Sequence, residues 1–367
     1  MRIKLKDAFE LQIGKTPSRN KSEYWNGVYK WVSISDIGNS RKYVYSTRES
    51  ITDKGIIDSG IKVIPKGTVI MSFKLSIGKT AITTEDMYTN EAIVAFIDKK
   101  KIPIDIDYMY YLCSGSNWMQ GVNKAVMGLT LNKATLSEKE INIPNIEIQK
   151  KCACNLDKID RIIDLKKQQL DQLDLLARSL FIEMFGDIIN TSKYPTVNLG
   201  SLGEMLSGGT PSSEHSEYFG GNIPFISTPC LGENYISYKN AQNFLTDEGV
   251  KNSTTNLIPA YSLMIGSRVG VGKCSINMCE MCTNQDILSF INIDKTKYDL
   301  LFIKNVIEQH FDFYESQKRG ATIKGISSKI VKETKVPKAP LLLQKKFANF
   351  VRGTDKSKYS SFSHLSA

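Results

Sequence analysis

An internal repeat constrains this chain more than any other feature of its sequence. Shifting the sequence by 194 positions aligns residues 3–97 with residues 197–291 without a gap. In this register Thr16-Pro17-Ser18 falls on Thr210-Pro211-Ser212. The period is too long for a solenoid, whose units run about 20–50 residues. The sequence therefore predicts a duplicated domain.

Each copy contains short runs of β-branched or aromatic residues bounded by Gly, Pro, Asn or Asp, a composition typical of strands. These runs are 31–34, 61–64, 68–73 and 92–97 in the first copy and 225–227, 256–258, 262–265 and 287–293 in the second. Residues 108–113 and 300–310 are predicted to be helical. Each copy is thus expected to be a strand-rich α+β domain.

A heptad pattern follows the first copy. Apolar residues recur in alternating steps of three and four from 156 to 184, with Lys166 as the one polar interruption, and no Gly or Pro intervenes before Gly186. Twenty-nine helical residues would span roughly 43 Å, with Gly186 as the predicted stop. We expect this helix to form an interface, either with a second helix of the chain or with partner subunits. The predicted seam consists of Leu156, Ile159, Ile163, Leu170, Leu173, Ala177, Leu180 and Met184.

The second copy is also followed by a helical signal, but a shorter one. Gln149-Lys150-Lys151 and Gln344-Lys345-Lys346 each follow a proline-containing apolar stretch, so the segment after Gln344 is expected to pair antiparallel with the central helix. Residues 347–352 begin this helix, and Gly353 with the Ser-rich tail is predicted to end it. The distal helix is therefore expected to reach at most half the length of the central one.

Charge points to a polyanionic partner. Forty-eight Lys and Arg residues against 38 Asp and Glu give a formal charge of +10, which favours nucleic acid through counterion release. The N-terminus lacks the apolar run of a signal peptide, and no stretch approaches the roughly 20 apolar residues of a spanning helix. We expect a cytoplasmic protein without a membrane partner, whose seven cysteines are reduced thiols.

Basic and amide side chains near Gly-rich turns are the candidates for DNA contact, since Lys and Arg hold phosphates while Arg, Asn, Gln and Lys read base edges. Those in the first copy are Lys15, Arg19, Lys74, Lys79, Asn90 and Lys124. Those in the second are Arg268, Lys273, Asn284, Gln285, Lys318, Arg319 and Lys324. Each could equally be a solvated surface residue, and Asn90 and Asn284 could equally support the fold.

Catalytic motifs are missing from the sequence. Gly78-Lys79-Thr80 mimics the end of a phosphate-binding loop, but Phe73 stands where the first glycine is required, so a structural turn is predicted. Dinucleotide-binding fingerprints and the Asn-Pro-Pro-aromatic or Asp-Pro-Pro-aromatic tetrapeptide of amino methylation are absent. Three histidines, far apart in sequence, do not indicate a histidine cluster. We expect no catalytic residue and no cofactor.

Four cysteines raise the alternative of a zinc site. They are Cys230, Cys274, Cys279 and Cys282. Their counterparts in the first copy are Asp36, Thr80, Glu85 and Tyr88, so the fold does not require a metal there. Reduced thiols in or near a strand-rich core, without metal, are the expectation.

The duplicated arrangement resembles the specificity subunit of type I restriction-modification systems. The resemblance covers nearly the whole chain and rests on the order of its motifs, each present twice or placed between the copies. These are the Gly-x-Thr-Pro-Ser of each copy, Ile143-Pro144 leading to Gln149-Lys150-Lys151, Leu170-Asp171-Gln172-Leu173-Asp174, and the stretch from Ser179 to Asp187.

The resemblance implies two target-recognition domains, residues 1–148 and 191–338, that read different halves of a split site in double-stranded DNA. Residues 149–190 would form the central heptad helix and linker, and residues 339–367 a truncated distal helix. Methylation and ATP-driven cleavage would belong to partner methyltransferase and restriction subunits, so the chain itself would not be an enzyme.

Two other functions remain open at this stage. The chain could be an enzyme with an unrecognised methyltransferase or nuclease site. It could also be an inactive or truncated specificity subunit that acts as a scaffold or recombination donor, which the short distal helix favours.

Overall fold

The computed structural model describes residues 1–39, 41–74, 76–118, 131–320 and 324–363, with side chains up to residue 355. The chain divides into two compact units, a first that ends at Leu165 and a second that begins at Lys166. This boundary falls inside the longest helix, which therefore contributes to both units.

The first unit is a mixed α/β domain, with most of its strands in the first hundred residues. Its elements are β1 (Arg2–Lys4), α1 (Leu5–Ala8), β2 (Phe9–Ile13), β3 (Trp25–Val32), α2 (Ile34–Asn39), β4 (Tyr43–Val44), β5 (Glu49–Ile51), α3 (Asp53–Ser59), β6 (Val69–Ser72), β7 (Thr80–Thr83), β8 (Tyr88–Thr89), β9 (Ile93–Asp98), α4 (Ile106–Gly115), α5 (Lys133–Ser137) and β10 (Glu140–Asn142). Helix α6 (Ile146–Phe185) follows.

A five-stranded sheet in the order β2-β9-β6-β7-β4 carries the core of the first unit. Because successive strand residues point to opposite faces, Met71 and Val94 enter one apolar cluster while Ile70 and Ile93 enter another. Both faces of the central strands are therefore buried, which explains their nearly continuous apolar sequence. A second sheet, in the order β5-β3-β8, contains Trp31 in its own small cluster.

The second unit repeats this plan. Its elements are β11 (Gly186–Asp187), β12 (Thr191–Ser192), β13 (Thr196–Asn198), β14 (Glu204–Ser207), β15 (Phe219–Ile226), β16 (Tyr235–Ile236), β17 (Asn243–Leu245), α7 (Asp247–Lys251), β18 (Leu257–Ile258), β19 (Leu263–Gly266), β20 (Cys274–Asn277), β21 (Met281–Thr283), β22 (Ile287–Ile291), α8 (Leu300–Gln309), α9 (Phe311–Ser316), α10 (Ser328–Lys332), β23 (Lys335–Pro337) and α11 (Leu341–Ser363).

The order β14-β22-β19-β20-β16 matches the first five-stranded sheet strand for strand. The register matches as well, because Leu11 pairs with Phe96 and its counterpart Met205 pairs with Phe290. The duplicated domain predicted from the sequence is therefore confirmed.

Most predicted strands are present, with shifted limits. The run 31–34 is wrong at its end, because β3 stops at Val32 and Ile34 begins helix α2. The run 61–64 is also wrong as a strand, since only Ile64 bridges Met87. The segment 61–64 places single apolar side chains in the core without pairing as a strand. Its composition is the same as that of a short strand, so the sequence could not distinguish the two.

Helix α6 is longer at its N-terminus than the 29 residues that the heptad pattern predicts. It has 40 residues and begins at Ile146, where the Asn145 Oδ1 accepts a hydrogen bond from the backbone N–H of Ile148 at 2.9 Å. The predicted end is confirmed, because α6 stops at Phe185 and Gly186 has φ +85°. The first turns of α6 pack on the first unit through the buried Ala153. The heptad pattern begins only at Leu156, so it did not predict these turns.

Helix α11 contradicts the predicted stop at Gly353. It has 23 residues and continues through Gly353 to Ser363, so it exceeds half the length of α6. A glycine inside a helix costs only about 1 kcal/mol. The turn around it is held by packing, with Val351 and Thr354 buried and the Asn234 amide donating to Asp355.

Candidate nucleic-acid interface

Three loops meet at one edge of the first unit. The Gly-x-Thr-Pro-Ser loop runs beside the loop after β8, because the Gly14 N–H donates to the Ile93 carbonyl at 3.1 Å and the Lys15 N–H to the Thr89 carbonyl at 2.8 Å. The loop after β6 joins them, with the Phe73 N–H donating to the Ala92 carbonyl at 3.0 Å. The repeated motifs thus lie together although they are far apart in sequence.

Gly14 is required by this approach. A Cβ at Gly14 would overlap the carbonyl and the hydroxyl of Thr89, and one at Gly208 would overlap Thr283 in the same way. Only a residue without a side chain allows the two backbones to lie this close. The repeated glycine and the repeated Thr-Asn therefore form one structural unit.

The second unit builds the same edge. The Gly208 N–H donates to the Ile287 carbonyl at 3.1 Å, and the Ser267 N–H donates to the Asp286 carbonyl at 2.8 Å. Here a further segment joins, because the Ile326 N–H donates to the Ser267 carbonyl at 2.8 Å. Arg319 and Gly325 form a bridge just before that contact.

The predicted DNA-contact residues of the first copy differ in their exposure and in their contacts. Lys15 is exposed on the first loop, and Lys74 lies on the loop after β6 with its Nζ 5.5 Å from the centre of the Phe73 ring. The Asn90 Oδ1 accepts from the Ala92 N–H at 3.0 Å, so Asn90 shapes its loop. Lys79 is exposed beside Gly38 of α2, and Lys124 lies outside the described residues.

Arg19 is held in place by its neighbours. Its guanidinium carbon lies 3.9 Å from the centre of the Trp25 ring, and its Nη2 donates to Glu49 at 3.0 Å while Nη1 donates to the other carboxylate oxygen. These contacts combine a cation–π interaction with a bidentate ion pair. Arg19 therefore already has partners that stabilise the first copy.

The predicted residues of the second copy are mostly exposed. Arg268 lies beside Gly325 and its Nη1 is 3.4 Å from Asp286. Gln285 follows Asn284 on the loop after β21, and Lys273 lines a cleft with Arg178 of α6. Three further cations precede or follow the segment at 321–323, namely Lys318, which pairs with Glu315, and the exposed Arg319 and Lys324.

A carboxylate of the first unit that the sequence did not single out lies near Lys74 and Arg19. Glu91 is exposed, and the Thr16 hydroxyl donates to its Oε2. This hydrogen bond, aided by Lys74 and Arg19, outweighs partial burial and holds the pKa of Glu91 below its ordinary value. The sequence did hold a signal for Glu91: it directly follows the repeated Thr-Asn, and its counterpart in the second copy, Gln285, was already a candidate for DNA contact.

The predicted seam of α6 is covered only in part. None of its eight side chains is buried, and Leu156 and Ile159 are 38% and 48% exposed. Only Leu180 and Met184, at the C-terminal end, pack against the core of the second unit. Leu156 and Ile159 are therefore the exposed part of the seam, and its other six side chains are partly buried.

The face of α6 next to the seam binds the first unit through polar contacts. The Tyr111 hydroxyl hydrogen-bonds Asp157 and Asp160, each at 2.8 Å, while Lys42 pairs with Asp157. Burial acts to raise the pKa of Asp157, but the hydrogen bonds from Lys42 and Tyr111 outweigh it and the pKa is lowered. The polar face is thus used for attachment.

The repeated glutamine locks each domain to its helix. Gln149 is fully buried, its Oε1 accepting from the Asp105 N–H at 2.8 Å and its Nε2 donating to the carbonyls of Pro103 and Pro144. Gln344 makes the equivalent three bonds to Asp299, Lys297 and Ala339. The sequence showed the repeated Gln-Lys-Lys motif, but it did not show that its glutamine is buried and hydrogen-bonds the domain.

Aromatic packing fixes the far end of α6 to the second unit. Phe181 stacks on Phe302 with ring centres 5.8 Å apart and meets Phe347 of α11 edge-on at 5.3 Å. Phe185 joins the same group, with its ring centre 4.7 Å from that of Phe302. Phe181 and Phe185 are therefore packed against the second unit.

The cysteines of the second copy occupy core and near-core positions. Cys274 and Cys282 are buried in β20 and β21, and burial raises the pKa of the Cys282 thiol to about 11. Cys230 and Cys279 pack against a small apolar cluster. Among the described residues no group of three or more His, Cys, Asp or Glu side chains is placed to hold a metal ion.

Comparison with known proteins identifies the family. The model of the type I restriction modification DNA specificity domain matches residues 1–175 and again residues 191–359. The chain belongs to this family. The two matches contain both five-stranded sheets and both Thr-Pro-Ser loops, so the duplication seen in the sequence is a duplication of the specificity domain.

Curated relatives of this specificity-domain chain are specificity subunits. A stretch covering 50% of it is 33% identical over 189 residues to the MjaIX specificity subunit of Methanocaldococcus jannaschii, of which it covers 43%. A stretch covering 48% is 28% identical over 182 residues to the EcoR124I/EcoR124II subunit of Escherichia coli, of which it covers 44%. The matches span less than half the length of these relatives.

Solved structures share the fold. A structure that concerns complex assembly and conformational transition of the type I R-M system aligns over 98% of this chain and 91% of its own, with TM-score 0.62 and 15% identity. The S subunit from M. genitalium aligns over 100% of this chain and 92% of its own, with TM-score 0.53 and 15% identity.

A search of the described helices for a membrane span found none with the length and apolar character that crossing a bilayer requires.

Proposed function

We propose that this chain is a sequence-specific DNA-binding subunit that directs partner methyltransferase and restriction subunits to a bipartite site in double-stranded DNA. The observation that carries the proposal is the specificity domain present twice, each copy bringing the same three loops and at least one exposed cation to one edge. A formal charge of +10 supports a polyanionic partner.

The two copies differ where a DNA-reading surface is expected to differ. They share the loop-forming Gly, Thr and Asn positions, but Lys74 in the first copy is replaced by Arg268 in the second. Shared scaffold with different exposed side chains suits two domains that read different bases. Of the thirteen basic and amide residues named above, we assign to this surface the described ones other than Arg19, whose contacts support the fold; Lys124 lies outside the described residues.

Helix α6 supplies the proposed protein interface. Its seam leaves Ile159 48% exposed, while the neighbouring polar face is attached to the first unit. An apolar stripe of this kind suits another helix, in the same chain or in a methyltransferase subunit. We assign no reaction and no cofactor to the chain itself, and methylation and cleavage to its partners, and we place the protein in the cytoplasm with them.

Methylation mapping tests the proposal directly. The chain is expressed with its methyltransferase subunit, and methylated bases are located by single-molecule sequencing. We expect a split motif, and we expect the purified complex to bind it with a steep salt dependence that Lys74→Ala or Arg268→Ala reduces by about one unit of slope per lost phosphate contact. Lys101→Ala, an exposed lysine outside the three loops, is the matched control. Absence of any motif, with the methyltransferase bound, would refute the proposal.

A further inference from the structure

Glu91 and Gln285 occupy the same place in the two copies. The Asn90 N–H donates to the Val32 carbonyl at 3.1 Å, and the Asn284 N–H donates to the Ile226 carbonyl at 3.0 Å. The residue that follows each asparagine is exposed and accepts a hydrogen bond from the threonine of the Gly-x-Thr-Pro-Ser loop. The backbone frame is therefore repeated, and only the terminal group differs, a carboxylate in one copy and an amide in the other.

Each terminal group has hydrogen-bonding capacity left over. The Thr16 hydroxyl donates to Oε2 of Glu91, and apart from the backbone N–H of Glu91 itself no other described group donates to this carboxylate. Thr210 donates to one lone pair of Gln285 Oε1, which leaves its second lone pair, and Nε2 of Gln285 donates to no described residue. One oxygen fixed by a hydroxyl orients the side chain, so less conformational entropy is lost when the free group binds.

A carboxylate at this edge disfavours phosphate. Glu91 interacts electrostatically with Lys74, a cation that we assign to the DNA-contacting surface, and with Arg19, which is already paired with Glu49. An ionised carboxylate there repels phosphate oxygens and gains only from a hydrogen-bond donor. The donors that base pairs present in the major groove are the amino groups of cytosine and adenine.

We propose that Glu91 and Gln285 are the base-reading residues at equivalent positions of the two domains, with Glu91 accepting from the N4 amino group of cytosine and Gln285 making a bidentate pair with adenine. The assignment rests on the proposed DNA-binding function. It follows the chemistry of the groups, because a carboxylate only accepts, whereas an amide accepts from N6 and donates to N7 of adenine.

Reciprocal exchange is the test. Glu91→Gln and Gln285→Glu are each expressed with the methyltransferase subunit, and the methylated motif is mapped by single-molecule sequencing. Since Gln285 already accepts from the equivalent threonine, Glu91→Gln keeps the loop contact. We expect Glu91→Gln to change one position of one half-site from cytosine to adenine, and Gln285→Glu to make the reverse change in the other half-site. Discrimination at each position should shift by about 5- to 150-fold.

Two further variants separate base reading from loop support. Glu10→Gln, which makes the same charge change at an exposed position of β2, should leave the motif unchanged. Thr16→Val frees the carboxylate of Glu91 and should weaken discrimination at the same base without changing which base is preferred. Selection from a random duplex library by each purified complex gives a second readout that needs no catalysis.

The outcomes distinguish the two proposals. If the unaltered chain selects a motif and both exchange variants select that same motif, Glu91 and Gln285 do not read bases and this inference is overturned. If the unaltered chain selects no motif, the DNA-binding function itself fails. A change confined to one base position in each half-site supports the assignment.

Discussion

Replacing Gln149 with leucine should destabilise the first unit specifically. The exchange conserves volume but removes the acceptor for the Asp105 N–H and the donor to the carbonyls of Pro103 and Pro144, at a site with no solvent exposure. Leaving such buried groups unpaired costs about 1–3 kcal/mol beyond the lost hydrogen bonds, so we expect a loss of about 2–4 kcal/mol in the free energy of unfolding.

Tryptophan fluorescence can follow this loss in one unit alone. All three tryptophans of the chain, Trp25, Trp31 and Trp118, belong to the first unit, and two of them are buried. With a slope of about 2 kcal/mol per molar urea, the midpoint of the tryptophan transition should fall by about 1–2 M in Gln149→Leu. Circular dichroism at far-ultraviolet wavelengths reports both units together.

Two control variants test whether the effect is specific to the Gln149 hydrogen bonds and to the first unit. Lys150→Leu changes an exposed residue in the same helical turn and should leave the tryptophan midpoint in place. Gln344→Leu removes the equivalent bonds from the second unit and should lower the circular-dichroism transition while leaving the tryptophan signal unchanged. If Gln149→Leu unfolds at the same urea concentration as Lys150→Leu, the three bonds do not hold the domain to its helix.

Two further predictions use the same tryptophan signal. The lowered pKa of Asp157 lies below the ordinary 3.8, so its stabilisation is present above that value and lost as pH falls through the folded-state pKa. The urea midpoint of Asp157→Asn should therefore lie below that of the unaltered chain near pH 7, and the two midpoints should converge as pH falls below the folded-state pKa. Asp171→Asn, an exposed change on α6, should show no such difference. Parallel curves at all pH values would contradict this. Gly14→Ala should lower the free energy of unfolding by more than about 2 kcal/mol, because the new Cβ meets Thr89. Gly115→Ala, at the open end of α4, should leave the stability unchanged or raise it slightly. Equal effects of the two substitutions would show that the two loops do not lie as close as described.

The repeat made the domain plan predictable. Residues that pair in the two sheets keep the same offset in sequence, so one alignment located both copies and the strands 68–73 and 92–97. The end of α6 at Gly186 was predictable for a local reason, since glycine adopts the left-handed conformation that closes a helix. Where a local signal was weak, as at Gly353, packing by neighbouring residues decided against it.

The sequence by itself determined that there are two copies of one strand-rich domain, which residues are repeated, and that a helix with an apolar seam joins them, because these features follow from periodicity and local propensity. Only the tertiary structure decided that Thr16 meets Glu91, that Gln149 is buried against Asp105, and that the polar face of α6 is used for attachment. Those contacts join residues 44 to 75 positions apart, and their geometry depends on how the sheets bring loops together.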